Sequence, residues 1–263
     1  MLRVMDDITP FPALEASESR AIWQLDQPLD ADSTAVPQFI VEKDTSTRYV
    51  LTFRERNVDR QEWVGVWAGD LFRDTKEPRM GQGSFEIDYT AAAQADPISA
   101  RRGQVQISYS ANSGEDLSLT YRFENYLGEN DAGSEPRNMI YEFCERTNGS
   151  GYFNFESYFN WSGKTDALEK LGVKTLWTSV NTGQSQVLIT GADIEAQGLD
   201  VVELRECWDA AFIQTYYVQL YYWKTPPETG NPTKDKEEGD ATACPTAFEP
   251  PDLSGDETPE EGE

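Results

Sequence analysis

Two carboxylates stand close together in the segment Gly-Ser-Phe-Glu-Ile-Asp-Tyr, at Glu86 and Asp88. Residues at this spacing leave the same face of a β-strand, so the two side chains are expected to lie a few ångströms apart. Paired carboxylates can hydrolyse glycosides, one as nucleophile and the other as general acid. The same two acids are also typical of a solvated strand face, or of a cation site, and the sequence leaves these alternatives open.

The segment resembles the start of the Glu-x-Asp-x-x-Glu signature of laminarinase-like β-jelly-roll glycosidases. That resemblance implies a carbohydrate hydrolase using Glu86 and Asp88, and it fails at the third acid, where this chain has Ala91. We therefore retain the hydrolase as an alternative hypothesis.

Histidine is absent from all 263 residues. The chain thus lacks the side chain best suited to acid–base catalysis near neutral pH, and the usual zinc ligand. No phosphate-binding loop, dinucleotide-binding glycine motif or Cys-x-x-Cys pair occurs either. These absences predict a protein that is not an enzyme, with no cofactor and no metal site.

The formal net charge is −25, from 47 acidic and 22 basic side chains. Such a field repels phosphate backbones, which argues against nucleic-acid binding and leaves basic partners open. No apolar run approaches the roughly 18 residues that a membrane-spanning helix needs. The first residues lack the apolar segment of a signal peptide, which predicts either synthesis without an export signal or a start after one.

Aromatic residues crowd the segment 212–223, which is apolar on both faces. One face of this strand belongs in a core, and the other is available for a cavity or a contact surface. Tyr217, Tyr221 and Trp223 alternate on that second face and are our candidate ligand-binding residues. Packing against a neighbouring layer is the competing interpretation.

Three cysteines are present, at positions 144, 207 and 244. Cys244 lies in a proline-rich tail, where a cysteine makes most sense if it attaches the tail to the body. We predict a Cys207–Cys244 disulfide with Cys144 free and buried in a strand, and the alternative is three reduced thiols. Strand alternation also places Glu203, Arg205 and Asp209 on the side of Cys207, which predicts an ion pair there.

The alternation that positions these residues has period two through most of the chain, which is typical of half-buried antiparallel strands. Strands are predicted at 49–53, 63–72, 104–109, 117–123, 152–161 and 212–223, and short helices at 89–95 and 165–171. The fold class is therefore all-β: an antiparallel meander curled into a barrel, half-barrel or sandwich, with one or two short helices.

Composition divides the chain into three segments. Residues 1–20 are predicted to be an irregular lead-in, because Pro10 and Pro12 oppose regular structure. Residues 21–224 are predicted to form a single β domain whose last strand ends at Lys224. Residues 225–263 form an acidic, proline-rich tail, too polar to fold unaided and partly held by Cys244.

Scattered motifs carry a resemblance over about residues 60–245. They are Gly81-x-Gly83-x-Phe-x-Ile-Asp88, Asp96-Pro97, Gly103-x-Val-x-Ile-x-Tyr109, Leu176-Trp177 with Gly183, Glu206-Cys207-Trp208-Asp209 with Phe212 and Tyr216-Tyr217, and the late Cys244. Their order is similar to that of a group of uncharacterised predicted lipoproteins of myxobacteria and their relatives. The resemblance implies export, a lipid anchor on an upstream cysteine, and no known activity.

These observations favour a non-catalytic, exported binding or cell-envelope protein that holds an apolar small molecule or a protein partner. The expected location is periplasmic or at the cell surface, and a cytoplasmic location stays open. The alternatives are the carbohydrate hydrolase and a structural or assembly component.

Overall fold

A computed structural model describes residues 12–28, 33–77, 80–97, 99–128, 135–161, 165, 167–228, 230–249 and 251. Contacts within the chain group into two units, Met1–Thr147 and Asn148–Glu263. The single domain expected over 21–224 stays a prediction, because this grouping does not test how the chain folds.

The N-terminal unit is an antiparallel meander in which each strand pairs with its neighbour in sequence. Its elements are β1 (Glu15–Ala16), β2 (Arg20–Gln24), β3 (Ala35–Lys43), β4 (Arg48–Asn57), β5 (Val64–Arg73), β6 (Gly81–Asp88), α1 (Tyr89–Ala95), β7 (Arg102–Ala111), β8 (Leu117–Leu127) and β9 (Arg137–Glu145).

The core of this unit is a set of rings on one face of the sheet. Trp67 lies at its centre, with ring centroids 5.7 Å from Phe39, 6.0 Å from Phe53 and 5.8 Å from Phe85. Strand alternation brings these rings together because their positions all point to the same side of paired strands. The opposite side carries mainly polar and small side chains.

The C-terminal unit is a second antiparallel meander. Its elements are β10 (Gly151–Phe159), β11 (Glu169–Trp177), β12 (Gly183–Thr190), α2 (Ala192–Ala196), β13 (Leu199–Trp208), β14 (Gln214–Trp223), β15 (Thr233–Gly239) and a 3-10 turn (Ala241–Ala243). Two apolar clusters form its core, one on each face of β13 and β14.

The all-β class, the antiparallel meander and the two short helices are confirmed. Each predicted strand lies within or largely overlaps an observed one, and the helix expected at 89–95 is α1. The described residues of neither unit pair a first strand with a last, so neither sheet closes into a barrel. Among the described residues, no helix is long and apolar enough to span a membrane.

Three predictions of local structure were wrong. The helix expected at 165–171 is replaced by the start of β11, and the second helix is α2, whose short Ala-Asp-Ile-Glu-Ala segment gives little periodicity to detect. The second error concerns residues 1–20, which were expected to be irregular. Residues 1–11 lie outside the described residues, but β1 and the first residue of β2 lie in this segment.

The third error is the last strand, because β15 follows Lys224 inside the predicted tail. β15 has no apolar face of its own, and it is held by contacts with β14. The Trp223 indole N–H donates to Thr233 Oγ1 (2.8 Å), the Tyr216 hydroxyl donates to Glu237 Oε1 (3.1 Å), and Lys236 lies over the Tyr217 ring. A charged outer strand of this kind discourages further edge pairing. Of the rest of the tail, residues 252–263 lie outside the described residues.

Candidate functional site

The three candidate ligand-binding residues share one face of β14 and are each half-buried. Their polar groups are already bonded within the unit. Gln219 Nε2 donates to the Tyr221 hydroxyl (2.6 Å), the Tyr217 hydroxyl donates to Gln219 Oε1 (3.4 Å), and Trp223 Nε1 donates to Thr233. The two hydroxyl groups and the indole N–H are therefore held in place. A ligand that contacts these residues must use the faces and edges of the rings.

Two of the three rings are also part of the packing. Tyr221 and Trp223 contact a buried cluster formed by Ile189, Ile194, Leu199 and Val202. Burial, with the neighbouring Asp235 carboxylate, raises the pKa of the Tyr221 hydroxyl. The sequence also allowed these rings to pack against a neighbouring layer, and this applies in part to Tyr221 and Trp223. Tyr217 is not in the cluster.

The face of β14 that carries the three rings continues across the paired strands β13, β12 and β11. Tyr221 lies opposite Val202, and that row extends through Ile189 to Leu171. The next row runs Gln219, Leu204, Val187 and Val173. We call the set Tyr217, Tyr221, Trp223, Leu204, Val187 and Val173 the aromatic face.

Helix α2 contacts β11, β12 and β13 and buries part of this side of the sheet. Its Ile194 is fully buried with Ile189 and Val202. The second row is half-buried, and two of its residues, Leu204 and Val187, pack against the same buried cluster. An apolar surface of this kind next to a packed core can accept a ligand.

The reverse side of the same strands carries a buried ion pair. Glu203 is fully buried, and it accepts hydrogen bonds from Arg205 Nη2 (2.9 Å), the Tyr222 hydroxyl (2.7 Å) and Gln186 Nε2 (2.6 Å). The ion pair predicted for Arg205 is present, but Asp209 is not part of it. Burial, together with the Glu203 carboxylate, raises the pKa of Tyr222.

A segment after β15, residues 244–249, covers this ion pair, and we call it the strap. Cys207 and Cys244 form the predicted disulfide, with Cα atoms 5.3 Å apart. The Thr246 N–H donates to Gln184 Oε1 (2.9 Å), and the Phe248 ring lies 5.2 Å from the Arg205 guanidinium carbon. A cavity of about 190 Å³ remains between the strap and the sheet, which makes it too small for a drug-sized ligand.

The acids at positions 86 and 88 lie in the N-terminal unit, on the polar side of its sheet. They line an open trough of about 820 Å³, together with Asp70, Ser84 and Ser108 among others. Asp88 Oδ1 accepts the Ala91 N–H (2.8 Å) as the N-cap of α1. Glu86 is exposed, and it makes no hydrogen bond or ion pair with the described residues.

This geometry does not resemble an activated pair of carboxylates. One oxygen of Asp88 is occupied by the helix cap, and the side chain of Glu86 is solvated, as in the strand-face interpretation. Among the described residues, no group of three or more His, Cys, Asp or Glu side chains could hold a metal ion. Cys144 is a free thiol on β9, as predicted, but it is half-buried rather than buried.

Comparison of the chain with protein-family models, with curated proteins and with solved structures finds no match. Sequence reasoning missed Tyr222 and Gln186 as partners of Glu203, although alternation along β14 puts Tyr222 on the face opposite Tyr221. It also missed the strap's contacts, for which only the position of Cys244 gave a signal.

Proposed function

We propose that this protein is a non-catalytic binding protein whose ligand lies on the aromatic face. The observation that carries the proposal is the half-buried state of that face, in which apolar side chains on four neighbouring strands are left incompletely covered. The ligand we propose is apolar, because every polar tip on the rings is already bonded within the unit. A protein partner with an apolar surface is the alternative occupant.

Rigidity of the rings supports this proposal. A ring whose tip is bonded loses little further freedom when a ligand packs against it, so the entropic cost of binding is reduced. Gln219 joins Tyr217 and Tyr221 into one bonded row, and Thr233 fixes Trp223. The Lys236 ammonium lies over the Tyr217 ring, 5.4 Å from its centroid.

The compartment we propose is the cell envelope or the exterior. Its support is the Cys207–Cys244 disulfide, since such bonds persist mainly in oxidising compartments. The resemblance to predicted lipoproteins points in the same direction.

A titration with a fluorescent naphthylamine, an apolar probe that brightens on leaving water, tests the binding proposal. We expect saturable binding by the wild type and about tenfold weaker binding by Tyr217→Ala or Leu204→Asn, each of which removes apolar contact area. Both positions are half-buried, so these variants should fold.

Tyr49→Ala is the matched control, because Tyr49 is a half-buried tyrosine in the N-terminal unit. It should bind the probe as the wild type does. Equal affinity in all four proteins would refute the aromatic face as the site. A stable oligomer in sedimentation, lost in Leu204→Asn, would favour the structural or assembly alternative.

A further inference from the structure

Two neighbouring hairpin turns of the C-terminal unit expose large apolar side chains. Val180 in the β11–β12 turn is 63% exposed, and Phe212 and Ile213 in the β13–β14 turn are 71% and 63% exposed. Both turns lie at the same end of the sheet, because Gly183 and Trp208, which adjoin them, are opposite each other in the β12–β13 pairing. We call these three residues the tip surface.

The β13–β14 turn holds its apolar residues outward in a fixed geometry. Asp209 Oδ1 accepts the N–H groups of Ala211 (2.8 Å) and Ile213 (3.0 Å), and the Phe212 N–H donates to the Asp209 carbonyl (2.9 Å). Phe212 has φ +59°, a conformation that a bulky residue seldom adopts. A glycine would fit this backbone better, so the presence of an exposed phenylalanine here is not explained by the turn itself.

The neighbouring turn is fixed in the same way. The Asn181 N–H donates to the Thr178 carbonyl (3.0 Å), and the hydroxyls of Thr178 and Thr182 are 2.8 Å apart. Val180 lies in the middle of this turn and is largely exposed. The tip surface is therefore convex and firmly held.

The two turns themselves carry few charged side chains. Residues 178–182 carry no charged side chain, and residues 209–213 carry only Asp209, whose carboxylate is occupied by the turn. At the opposite end, Lys224 and Glu195 form an ion pair at 2.8 Å, and Asp193 and Glu228 lie in the adjoining segments. Acidic residues of the neighbouring β15 segment do reach this end, since the Asp240 N–H donates to the Thr215 carbonyl (3.1 Å) and Glu238 lies opposite Tyr217.

We propose that the tip surface enters the apolar boundary layer of a lipid bilayer with neutral headgroups. Three side chains on two narrow turns bury far less than the roughly 800 Å² per partner of a stable protein interface. A fluid bilayer accepts a small convex apolar surface of this kind. Neutral rather than anionic lipid follows from the net charge of −25, which anionic headgroups repel. This interaction is separate from ligand binding on the aromatic face.

Co-sedimentation with phosphatidylcholine vesicles tests the proposal. The wild type should pellet with the vesicles, and raising the salt concentration should not release it, because the contact is apolar. Phe212→Gly and the double variant Phe212→Ser, Ile213→Ser should each partition about tenfold less, since each loses at least one large apolar group. Phe212→Gly also relieves the positive φ, so its thermal unfolding should occur at or above the wild-type temperature.

Leu14→Ser is the matched control, since Leu14 is an equally exposed residue (68%) in the N-terminal unit, and this variant should pellet like the wild type. Absence of pelleting by the wild type, or pelleting unchanged in Phe212→Gly, would overturn the proposal. Self-association that disappears in Phe212→Gly, without vesicle binding, would overturn it in favour of a contact between copies. Loss of naphthylamine binding with vesicle binding retained would count against the proposed ligand site alone.

Discussion

The two units follow the same strand alternation but complete their cores differently. In the N-terminal unit, rings from one face of the sheet pack on Trp67, and the other face stays polar around the open trough. In the C-terminal unit, both faces of β13 and β14 are apolar, and one of them also buries Glu203. That face is covered by the strap, which a disulfide holds in place. The comparison shows that a polar sheet face can stay open to solvent, whereas the face that buries the Glu203 ion pair is covered by a separate segment.

The largest expected effect comes from removing the buried acid. Glu203→Ala leaves the Arg205 guanidinium partly buried without its partner, and it leaves the Tyr222 hydroxyl without its acceptor. We expect the free energy of unfolding of the C-terminal unit to fall by about 3–5 kcal/mol. Hydrogen exchange on peptides from β12–β14 measures this loss locally.

Glu195→Ala is its control, because Glu195 forms an exposed ion pair with Lys224 and should cost about 0–1 kcal/mol. Equal losses in the two variants would contradict a structural role for the Glu203 ion pair.

The disulfide should have the next largest effect, and only on one unit. Replacing both Cys207 and Cys244 by serine removes a closure over 37 residues, which is expected to cost about 3–4 kcal/mol. Exchange should accelerate in the strap and β13, while peptides of β4–β7 keep their wild-type rates. Equal acceleration in both units would show that the strap is not a local cover.

A smaller effect, confined to the N-terminal unit, should depend on pH. Burial and the nearby Asp96 carboxylate raise the pKa of Glu55 from an ordinary value of 4.5 to about 7. The folded state therefore binds this proton more tightly than the unfolded state, and stability falls as the pH rises from about 4.5 to about 7, then levels off. We expect a decline of about 1–2 kcal/mol, allowing for the partial exposure of Glu55.

Urea denaturation of the wild type and of Glu55→Gln over that pH range measures this decline. The variant should lose most of the slope. An unchanged slope in Glu55→Gln would assign the pH dependence to other groups.

The smallest effect concerns the acids of the trough. Asp88→Ala should destabilise the N-terminal unit by about 1 kcal/mol, because it removes the N-cap of α1. Glu86→Gln should stay within about 0.5 kcal/mol of the wild type, since Glu86 has no partner among the described residues. Thermal unfolding measures both. Glycan turnover by the wild type that is lost in Glu86→Gln would revive the hydrolase hypothesis.

Much of the fold could be predicted from local pattern, because alternation determines which side chains meet once neighbouring strands pair. Alternation places three residues of β13, Glu203, Arg205 and Cys207, on one face. It likewise places three rings of β14, Tyr217, Tyr221 and Trp223, on one face. β15 could not be predicted, because its Lys and Glu residues form a strand only against the rings of β14. The role of Asp88 as a helix N-cap could not be predicted, because the spacing of Glu86 and Asp88 also fits a pair of catalytic acids.

The site could be predicted only in outline. The sequence identifies the rings of β14, but how far Tyr221 and Trp223 join the core depends on α2, a five-residue helix without a periodic signal. The tip surface was also beyond sequence reasoning, since exposure of Phe212 follows from a turn closed by Asp209.

Hydrogen exchange with and without the bound naphthylamine tests the central claim most directly, because it locates the ligand on one unit or the other. Our account predicts slower exchange in β13 and β14 when the probe is bound, with the strands of the trough unchanged. Protection confined to β6 and β7, around Glu86, or no protection anywhere at saturating probe, would contradict it.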